Sequence, residues 1–403
     1  MPFPRAAVLA VVFLLGCQTE RWGVPTSGSG FPTGSHNYSR WAADPPRMLF
    51  LQPITAPDTS GCLQPPLALS SRLTVLATAE GSLIGLGMFE PIWHLRLPAK
   101  TVAAVPLVAD SGTLYLLGSD GTLSALSFDG KLLWREPLFL GLEHGGGPYL
   151  PLLAQHRGIL AADGGGRLVR VAATGKILWE QRRGGSLRRS WSASADGLLA
   201  LGIAADGGDT LLVLDSTGQQ RWSRVLPQTQ LTCVVLGNGR LVVAGVRDGP
   251  QEPIPVLHCF SAIGELLWSK TLPAVPRWVS LDDSSRAYVI VHSSGVGDPI
   301  SGILAYGADG HHRWKLYLPA TITTPALLFE KSLLVFAVQS NGALGGYILS
   351  LADGSLQELL SLQEAPPLLL VPAVTPDGDV LLGWSTRLGL LRLGEHPWRW
   401  LLF

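Results

Sequence analysis

The chain carries little charge of either sign and few cysteines, and each shortage excludes a class of protein. Its 30 basic and 30 acidic residues give a formal net charge of zero, and charged residues make up 15% of the chain. This balance lacks the basic surface of a nucleic-acid-binding protein, so no nucleic-acid partner is predicted. Only four cysteines occur in 403 residues. We therefore expect buried thiols rather than a framework of disulfides.

Long apolar runs and helix-forming stretches are also missing. The longest apolar run extends for eleven residues from Ala6 to Gly16, which is too short to span a bilayer. The repeat region holds no stretch that could form a helix of ten or more residues, whereas many of the 47 glycines stand at turn positions. The sequence therefore predicts an all-β protein without a transmembrane helix.

One short phrase that ends in tryptophan recurs along the chain, for example at residues 128–134 and 173–179. Its tryptophans are Trp93, Trp134, Trp179, Trp222, Trp268, Trp314 and Trp398. The first six are 41 to 46 residues apart, and the last gap spans two periods, with Glu358 in the tryptophan position between them. A fixed period of this size indicates an array of one supersecondary unit.

Apolar hairpins alternate with these phrases. Eight short apolar runs, each followed by a turn and a second run, open at Pro66, Pro106, Pro151, Trp191, Cys233, Trp278, Pro325 and Pro372. In the second unit, residues 122–127 and 131–135 add two more strands, so each unit contains four antiparallel strands. The pattern predicts an eight-bladed β-propeller over residues 45–403. Seven blades are the alternative, although that ring would leave one hairpin unplaced.

The two groups of tryptophans have different predicted positions. We expect each recurring tryptophan on the outermost strand of its blade, where the indole covers a turn of the neighbouring blade. The glycine four residues earlier in the phrase permits the turn and a close approach. Trp191 and Trp278 occupy instead the position at which most of the apolar runs begin with proline. We call this position, on the innermost strand, the proline slot. Either could face the ring axis, although packing is the favoured interpretation.

The phrase Gly-Thr-Leu-x-Ala-Leu-x-x-x-Gly-Lys-x-x-Trp at residues 121–134 resembles the repeat of the quinoprotein-type propellers. That family includes alcohol dehydrogenases that bind pyrroloquinoline quinone (PQQ). It also includes non-enzymatic relatives such as the outer-membrane lipoprotein of the β-barrel assembly machinery. The resemblance covers about residues 60–403. It implies the fold, whereas one fold hosts many functions.

The groups on which the quinoprotein dehydrogenases depend are missing from the sequence. Those enzymes resemble one another in an adjacent cysteine pair and a calcium site with a catalytic aspartate, and no two cysteines are neighbours here. The Asp-Gly pairs recur at turn positions, which the turns explain. Asp206–Asp209 and Asp282-Asp283 fall short of calcium-loop spacing, and His311-His312 is a poor metal pair. We therefore predict no catalytic residue, no metal and no cofactor, neither PQQ nor calcium.

The N-terminus predicts a membrane anchor. Residues 1–16 join a short positive start to the apolar run, which is the form of a secretory signal. The run ends in Leu14-Leu15-Gly16-Cys17, which resembles the bacterial lipobox, so Cys17 is the predicted site of lipid attachment. Residues 17–44 are rich in Gly, Ser, Thr and Pro and predict a flexible tether. Gln18 resembles the corresponding residue of lipoproteins sent to the outer membrane.

These features predict a lipid-anchored propeller of the bacterial cell envelope, at the outer membrane and facing the periplasm. It would be a monomeric, non-catalytic scaffold for a protein partner, and only its lipid would touch the membrane. The resemblance implies a role in outer-membrane protein assembly. Two alternatives remain open. One is a quinoprotein-like oxidoreductase or PQQ binder, and the other is an envelope carbohydrate binder that uses Trp191, Trp278 and Trp384.

Overall fold

The computed structural model describes residues 48–394, apart from gaps at 53–60, 71, 88–89, 99, 111, 146–147, 155–157, 195–196, 294–299, 363–371, 376–379 and 384–389. Within these residues, the strands form eight antiparallel sheets, and the 3₁₀ turn Leu142–His144 is the helical element. No helix in the described ranges has the length and apolar character needed to cross a membrane. The predicted all-β, eight-bladed propeller is confirmed.

We number the blades along the chain and give the strands of each blade from the ring axis outward. The first blade contains β2 (Leu67–Ala68), β3 (Thr74–Ala77), β4 (Ser82–Leu86) and β5 (Pro91–Arg96); the second β6 (Val108–Asp110), β7 (Thr113–Leu117), β8 (Thr122–Ser127) and β9 (Leu132–Pro137); the third β10 (Leu153–Ala154), β11 (Gly158–Ala162), β12 (Arg167–Ala172) and β13 (Ile177–Arg182); the fourth β14 (Leu187–Ala193), β15 (Leu199–Ile203), β16 (Thr210–Leu214) and β17 (Gln220–Val225).

The remaining blades follow the same order, with a divided inner strand in the seventh. The fifth blade contains β18 (Thr229–Gly237), β19 (Arg240–Arg247), β20 (Ile254–Ser261) and β21 (Leu266–Thr271); the sixth β22 (Val275–Leu281), β23 (Ala287–His292), β24 (Ser301–Tyr306) and β25 (His312–Leu318); the seventh β26 (Ala320–Ile322), β27 (Leu327–Leu328), β28 (Ser332–Gln339), β29 (Leu344–Ser350) and β30 (Leu356–Leu362); the eighth β31 (Ala373–Val374), β32 (Val380–Gly383), β33 (Leu390–Gly394) and β1 (Met48–Gln52).

The first strands of neighbouring blades meet at the ring axis. The Val234 N–H in β18 donates to Oγ of Ser190 in β14 over 2.6 Å, and the Leu236 N–H donates to Oγ of Ser192 over 3.1 Å. Because these strands bond to one another across the blade boundary, the first strand of each blade is its innermost. The phrase with the tryptophan consequently forms the outermost strand.

The innermost strand is irregular where the sequence has proline or its substitute. In the seventh blade, Pro325 stands between β26 and β27, and both strands pair with β28. In the fourth, fifth and sixth blades, the register shifts just before Trp191, Cys233 and Trp278. Proline has no N–H to donate to the ladder, and a bulge leaves one residue unpaired. Both irregularities therefore interrupt the innermost strand at the equivalent position of each blade.

Each blade buries its apolar faces against its two neighbours. Eight clusters of buried side chains occupy the joints, and each cluster draws residues from two consecutive blades. One cluster joins the last blade to the first, through Ala373 and Leu381 on one side and Leu76 and Ile84 on the other. The ring is therefore closed, and the described residues of every blade pack against both neighbouring blades.

The outermost strand of the eighth blade comes from the N-terminal side of the propeller. β1 pairs with β33, from Met48 opposite Gly394 to Gln52 opposite Leu390. The repeat pattern had assigned this edge to the phrase that ends at Trp398, and residues 395–403 lie outside the described residues. The first and last described strands of the propeller thus share one sheet, a pairing that no local motif could reveal.

Candidate functional site

A β-bulge precedes the tryptophan position in the outermost strand of the first seven blades. In the second blade, Ala125 pairs with Trp134 and Leu126 pairs with Leu132, so Leu133 has no partner in the ladder. The same register shift occurs in the other six strands. A bulge redirects the side chains near it. In the first six of these strands, it precedes an indole that reaches the following blade, whereas the seventh strand has Glu358 in that position.

Each of the six described indoles on these strands donates a hydrogen bond to the next blade. The Trp134 N–H donates to the carbonyl oxygen of Ala173 over 2.7 Å. The other five pairs, at 2.9 to 3.1 Å, are Trp93 with Phe128, Trp179 with Ser216, Trp222 with Ala262, Trp268 with Ala308 and Trp314 with Leu351. Every acceptor lies in the turn of the following phrase, so the tryptophans link successive blades from the first to the seventh.

A glycine of the next blade lies against each indole. A β-carbon on Gly175 would come within 3.0 Å of Cδ2 of Trp134, and one on Gly310 would come within 2.6 Å of Cγ of Trp268. Both glycines have positive φ values, 86° and 79°. The glycine that accommodates an indole therefore belongs to the following phrase and not to the tryptophan's own. It provides a left-handed turn and room for the ring at the same position.

Trp191 lies in the packing between the third and fourth blades. Its side chain is 1% exposed, and its indole N–H donates to the carbonyl oxygen of Pro151 over 2.8 Å. Leu150, Leu168 and Leu201 belong to the same buried cluster. Because the ring is covered on all sides, Trp191 presents almost no surface to a ligand on the ring axis. Packing between the blades and the hydrogen bond to Pro151 therefore explain why tryptophan occupies this position.

Trp278 occupies the equivalent position in the sixth blade and is 7% exposed. Its ring meets that of His292 edge-on, with centroids 5.8 Å apart, and the Arg277 guanidinium lies 5.9 Å from its centroid. Neither the Trp278 indole N–H nor Nε2 of His292 has a hydrogen-bond partner among the described residues. Burial lowers the pKa of His292 below its usual value, which favours the neutral ring.

The described residues offer no set of groups suited to thiol, metal or quinone chemistry. Nowhere in these ranges do three or more His, Cys, Asp or Glu side chains form a group that could hold a metal ion. Cys233 and Cys259 lie on the first and third strands of the fifth blade, and both are buried, as is Cys62. Burial raises the pKa of the Cys233 thiol to about 12, so it is not a nucleophile at neutral pH. A quinone that needs an adjacent cysteine pair and an open axial indole therefore does not fit these residues.

Asp209 and Asp282, from the two acidic segments considered as calcium loops, are buried and form hydrogen bonds with neighbouring residues. Asp209 is 1% exposed and accepts two hydrogen bonds from the Arg188 guanidinium, at 2.7 and 2.8 Å, and one from the Leu231 N–H at 2.6 Å. Asp282 accepts hydrogen bonds from the side chains of Arg286 and Tyr288. These bonds fix loops and strands, and they occupy the oxygens that a cation would require.

The outermost strands of the first three blades present apolar side chains to solvent. These side chains are Ile92 (61% exposed), Leu132 (56%), Leu133 (54%), Ile177 (42%) and Leu178 (51%), which we call the outer apolar arc. Each is the bulge residue or the residue that pairs just before it. Two apolar residues in a row on an edge strand depart from the alternation of a half-buried strand. That departure is the sequence signal of an exposed surface, although the same residues also belong to the repeated phrase.

Several predicted residues lie outside the described residues. They are the lipid-attachment residue Cys17, the tether up to residue 44, and Trp384 and Trp398. Their predicted roles therefore remain predictions.

Eight blades, the first seven of them linked by indoles that lie against glycines, define an eight-bladed β-propeller. Residues 55–182 and 89–247 match the family described as outer membrane protein assembly factor BamB, and the chain is a PQQ-like propeller similar to BamB. No curated protein sequence matches the chain.

Solved structures share the architecture at low sequence identity. BamB from Moraxella catarrhalis is 16% identical, with 84% of this chain and 99% of that chain covered and a TM-score of 0.56. A europium-containing methanol dehydrogenase is 12% identical, with 89% and 95% covered and a TM-score of 0.58. The C-terminal WD40 domain of Sif2 is 12% identical, with 87% and 99% covered and a TM-score of 0.66. At these identities the likeness shows the fold alone.

Proposed function

We propose that this protein is a non-catalytic interaction platform of the bacterial cell envelope, which binds a protein partner through the outer apolar arc. The propeller acts as a monomer that faces the periplasm. Cys17 carries its lipid, and residues 17–44 tether it to the outer membrane. Its function is to hold a binding surface rigid. Outer-membrane protein assembly is the corresponding process, by similarity to the family that the repeat matches.

The outer apolar arc carries this proposal. Its five side chains are each 42% or more exposed and lie on three consecutive blades. Exposed apolar side chains on the edge strand of a sheet invite association, and soluble proteins normally protect such edges with charged groups. The fourth blade follows that rule with Gln220 and Arg221 in the same two positions. The fifth blade again has exposed leucines in these positions, Leu266 and Leu267, but the fourth and sixth blades beside it have polar residues there. Among the described residues, the first three blades therefore form the continuous apolar surface, and a partner would explain it.

The envelope location rests on the N-terminal sequence and the family. A positive start, an eleven-residue apolar run and a cysteine that follows Leu-Leu-Gly are the features of a lipoprotein signal. The family matched by residues 55–247 is described as an outer-membrane assembly factor. A lipid anchor with a flexible tether would place a rigid ring near a membrane without inserting it.

The two alternative functions have less support. A quinoprotein-like oxidoreductase has the europium-containing methanol dehydrogenase in its favour, but that likeness concerns the fold. The buried Cys233 thiol and the covered Trp191 ring do not provide the cysteine pair and open indole on which the quinoprotein dehydrogenases depend. No cofactor is therefore part of the proposal. A carbohydrate binder would need open indole faces, and Trp191 and Trp278 are 1% and 7% exposed.

Affinity capture from detergent-solubilised envelopes tests the proposal. The wild-type chain is compared with the double variant Leu133→Ser, Leu178→Ser, and with the control Leu267→Ser, which changes an equally exposed side chain on the fifth blade. We expect one reproducible partner with the wild type and the control, and its loss with the double variant. A monomer without a reproducible partner, or a partner retained by the double variant, contradicts the proposal.

A further inference from the structure

A cavity of about 300 Å³ lies between the first and second blades, on the outer side of the ring. Leu95 and Leu97 of the first blade form one wall. The second blade contributes Leu132 to the opposite wall, and Leu116 and Leu126 to the floor. In the second blade, Leu116 pairs with Ser124, and Leu126 pairs with Leu132, so these side chains share one face of the sheet. A cavity of this size with mainly apolar walls is at the lower end of the range for small-molecule sites.

The next joint shows why the cavity is present at this one. Between the second and third blades, Arg167 begins the third strand and its guanidinium lies 5.5 Å from the centroid of the Phe139 ring. The second blade has Thr122 in the position of Arg167. The first blade has Pro98 in the position that Phe139 occupies in the second blade. The preceding residues, Leu97 and Leu138, establish this alignment, because the backbone N–H of each donates to the glycine carbonyl oxygen of the turn in its own blade. Two large side chains are thus replaced by two small ones.

Ser124 enlarges the space further. It stands where the third blade has Val169, as the two strands align from their turns. Both Thr122 and Ser124 line the cavity and are partly buried. Their hydroxyl groups provide hydrogen-bonding positions along an otherwise apolar wall. The other joint has no counterpart of this combination, since Arg167 occupies that volume and bonds to Glu180.

The lining changes from apolar to charged between floor and mouth. Leu116 and Leu126 are 2% and 1% exposed and form the floor. Arg96 and Arg135 line the cavity and are exposed. The Arg135 guanidinium pairs with the Asp120 carboxylate, whereas Arg96 forms no ion pair with any residue that the structure describes. Two guanidinium groups and one carboxylate leave the mouth with an excess of one positive charge.

We propose that this cavity, bounded by Thr122 and Ser124 with Arg96 at its mouth, binds a small amphipathic anion. The apolar body of such a ligand lies against Leu95, Leu97 and the floor, which removes its surface from water. Its single carboxylate or sulfonate group faces Arg96 and the Asp120–Arg135 pair. A neutral apolar ligand would leave Arg96 without an acidic partner, and a cation would be repelled by it. The cavity shares Leu132 with the outer apolar arc, but anion binding is measured on the isolated chain and does not depend on the proposed function.

Binding of 1-anilinonaphthalene-8-sulfonate to the full chain tests this site, because the probe is itself an amphipathic anion that fluoresces in apolar surroundings. We expect saturable binding at one site per chain. The double variant Thr122→Met, Ser124→Leu fills the cavity and should weaken binding by about tenfold or more, since the apolar contacts of the probe are lost. Arg96→Gln should weaken it by about threefold, as expected for an exposed charge pair.

Matched controls separate the site from the rest of the surface. Leu267→Ser, on the fifth blade, should leave the affinity unchanged. Decanoate should displace the probe, whereas decylammonium, which has the same chain and the opposite charge, should not. Each variant is checked by circular dichroism, and Ser124→Leu alone serves if the double variant does not fold. Equal affinity of wild type and the filled variants, or displacement by decylammonium as well as by decanoate, would overturn the proposal.

Discussion

The indole of Trp134 lies against Gly175 of the next blade, so close that a β-carbon on the glycine would stand 3.0 Å from Cδ2 of the ring. The same phrase therefore performs two functions in this protein. Its tryptophan reaches forward to the following blade, and its glycine receives the indole of the preceding one. This reciprocal contact explains why the phrase recurs, because each copy must match the one before it and the one after it, and the four strands of a blade set the spacing of 41 to 46 residues.

Trp134→Ala tests how much this contact stabilises the ring. The indole is only partly buried, so we expect a loss of about 2–4 kcal/mol in the free energy of unfolding, somewhat below the usual cost for a fully buried aromatic residue. Leu133→Ala, at the exposed neighbouring position, should change stability by less than about 0.5 kcal/mol. Denaturant unfolding measures both. An equally small effect of the two substitutions would show that the indole does not hold the blades together.

Gly310→Ala separates the cost of the turn from the cost of the contact. Gly310 and Gly342 have nearly the same φ, 79° and 81°, but only Gly310 faces an indole, that of Trp268, and nothing lies within 4 Å of a β-carbon on Gly342. Both alanine variants carry the strain of a left-handed conformation. Gly310→Ala should cost about 1–3 kcal/mol more than Gly342→Ala, owing to overpacking. Thermal unfolding of the two variants gives the comparison, and equal costs would argue against the contact.

Asp209→Asn tests the buried ion pair with Arg188. The carboxylate accepts three hydrogen bonds in a site that is 1% exposed. Removing its charge leaves the guanidinium with a neutral partner, so we expect a loss of roughly 2–4 kcal/mol in unfolding free energy. Asp129→Asn breaks an exposed ion pair with Lys131, which water and salt screen, and should have a much smaller effect. Similar costs for both would show that the Asp209 site is not as rigid as the geometry indicates.

His258→Gln tests the contribution of one histidine to the pH dependence of stability. Burial, assisted by Arg247 and Arg224, lowers the pKa of His258 below its usual 6.5 in the folded state. The unfolded chain therefore takes up a proton before the folded chain does, and stability is lost as the pH falls from about 6.5 through the lowered pKa. The midpoint temperature of the wild type should decrease between pH 7.5 and 5, and the variant should show a shallower decrease. An unchanged slope would contradict the shift.

The sequence predicted the propeller fold better than it predicted the outer apolar arc and the cavity, for physical reasons. The tryptophan phrase and the proline slot recur in nearly every blade, because every blade has the same packing problem. The pairing of β1 with β33 joins residues more than 300 positions apart in sequence, and no local pattern encodes it. The outer apolar arc depends on exposed apolar residues on three consecutive blades, and the cavity beside Thr122 arises where the first two blades have smaller side chains than the next joint. Their significance depends on the residues of the neighbouring blade, which the structure shows and the sequence does not.

The directions of the Trp191 and Trp278 side chains also could not be predicted from the sequence. The proline slot placed both on the innermost strand, and the register shifts occur just before them. Sequence could not decide between an indole on the axis and one between blades, because the twist of the blade determines that direction. The structure places both rings in the buried clusters between blades.

Site-specific photocrosslinking in intact envelopes tests the central claim most directly. A benzophenone amino acid is introduced in place of Leu178, in the outer apolar arc, and in place of Arg221, which holds the bulge position of the next blade. We expect a discrete crosslinked protein at position 178 and none at position 221. The same product at both positions, or no product at either, would contradict a partner-binding surface on the first three blades.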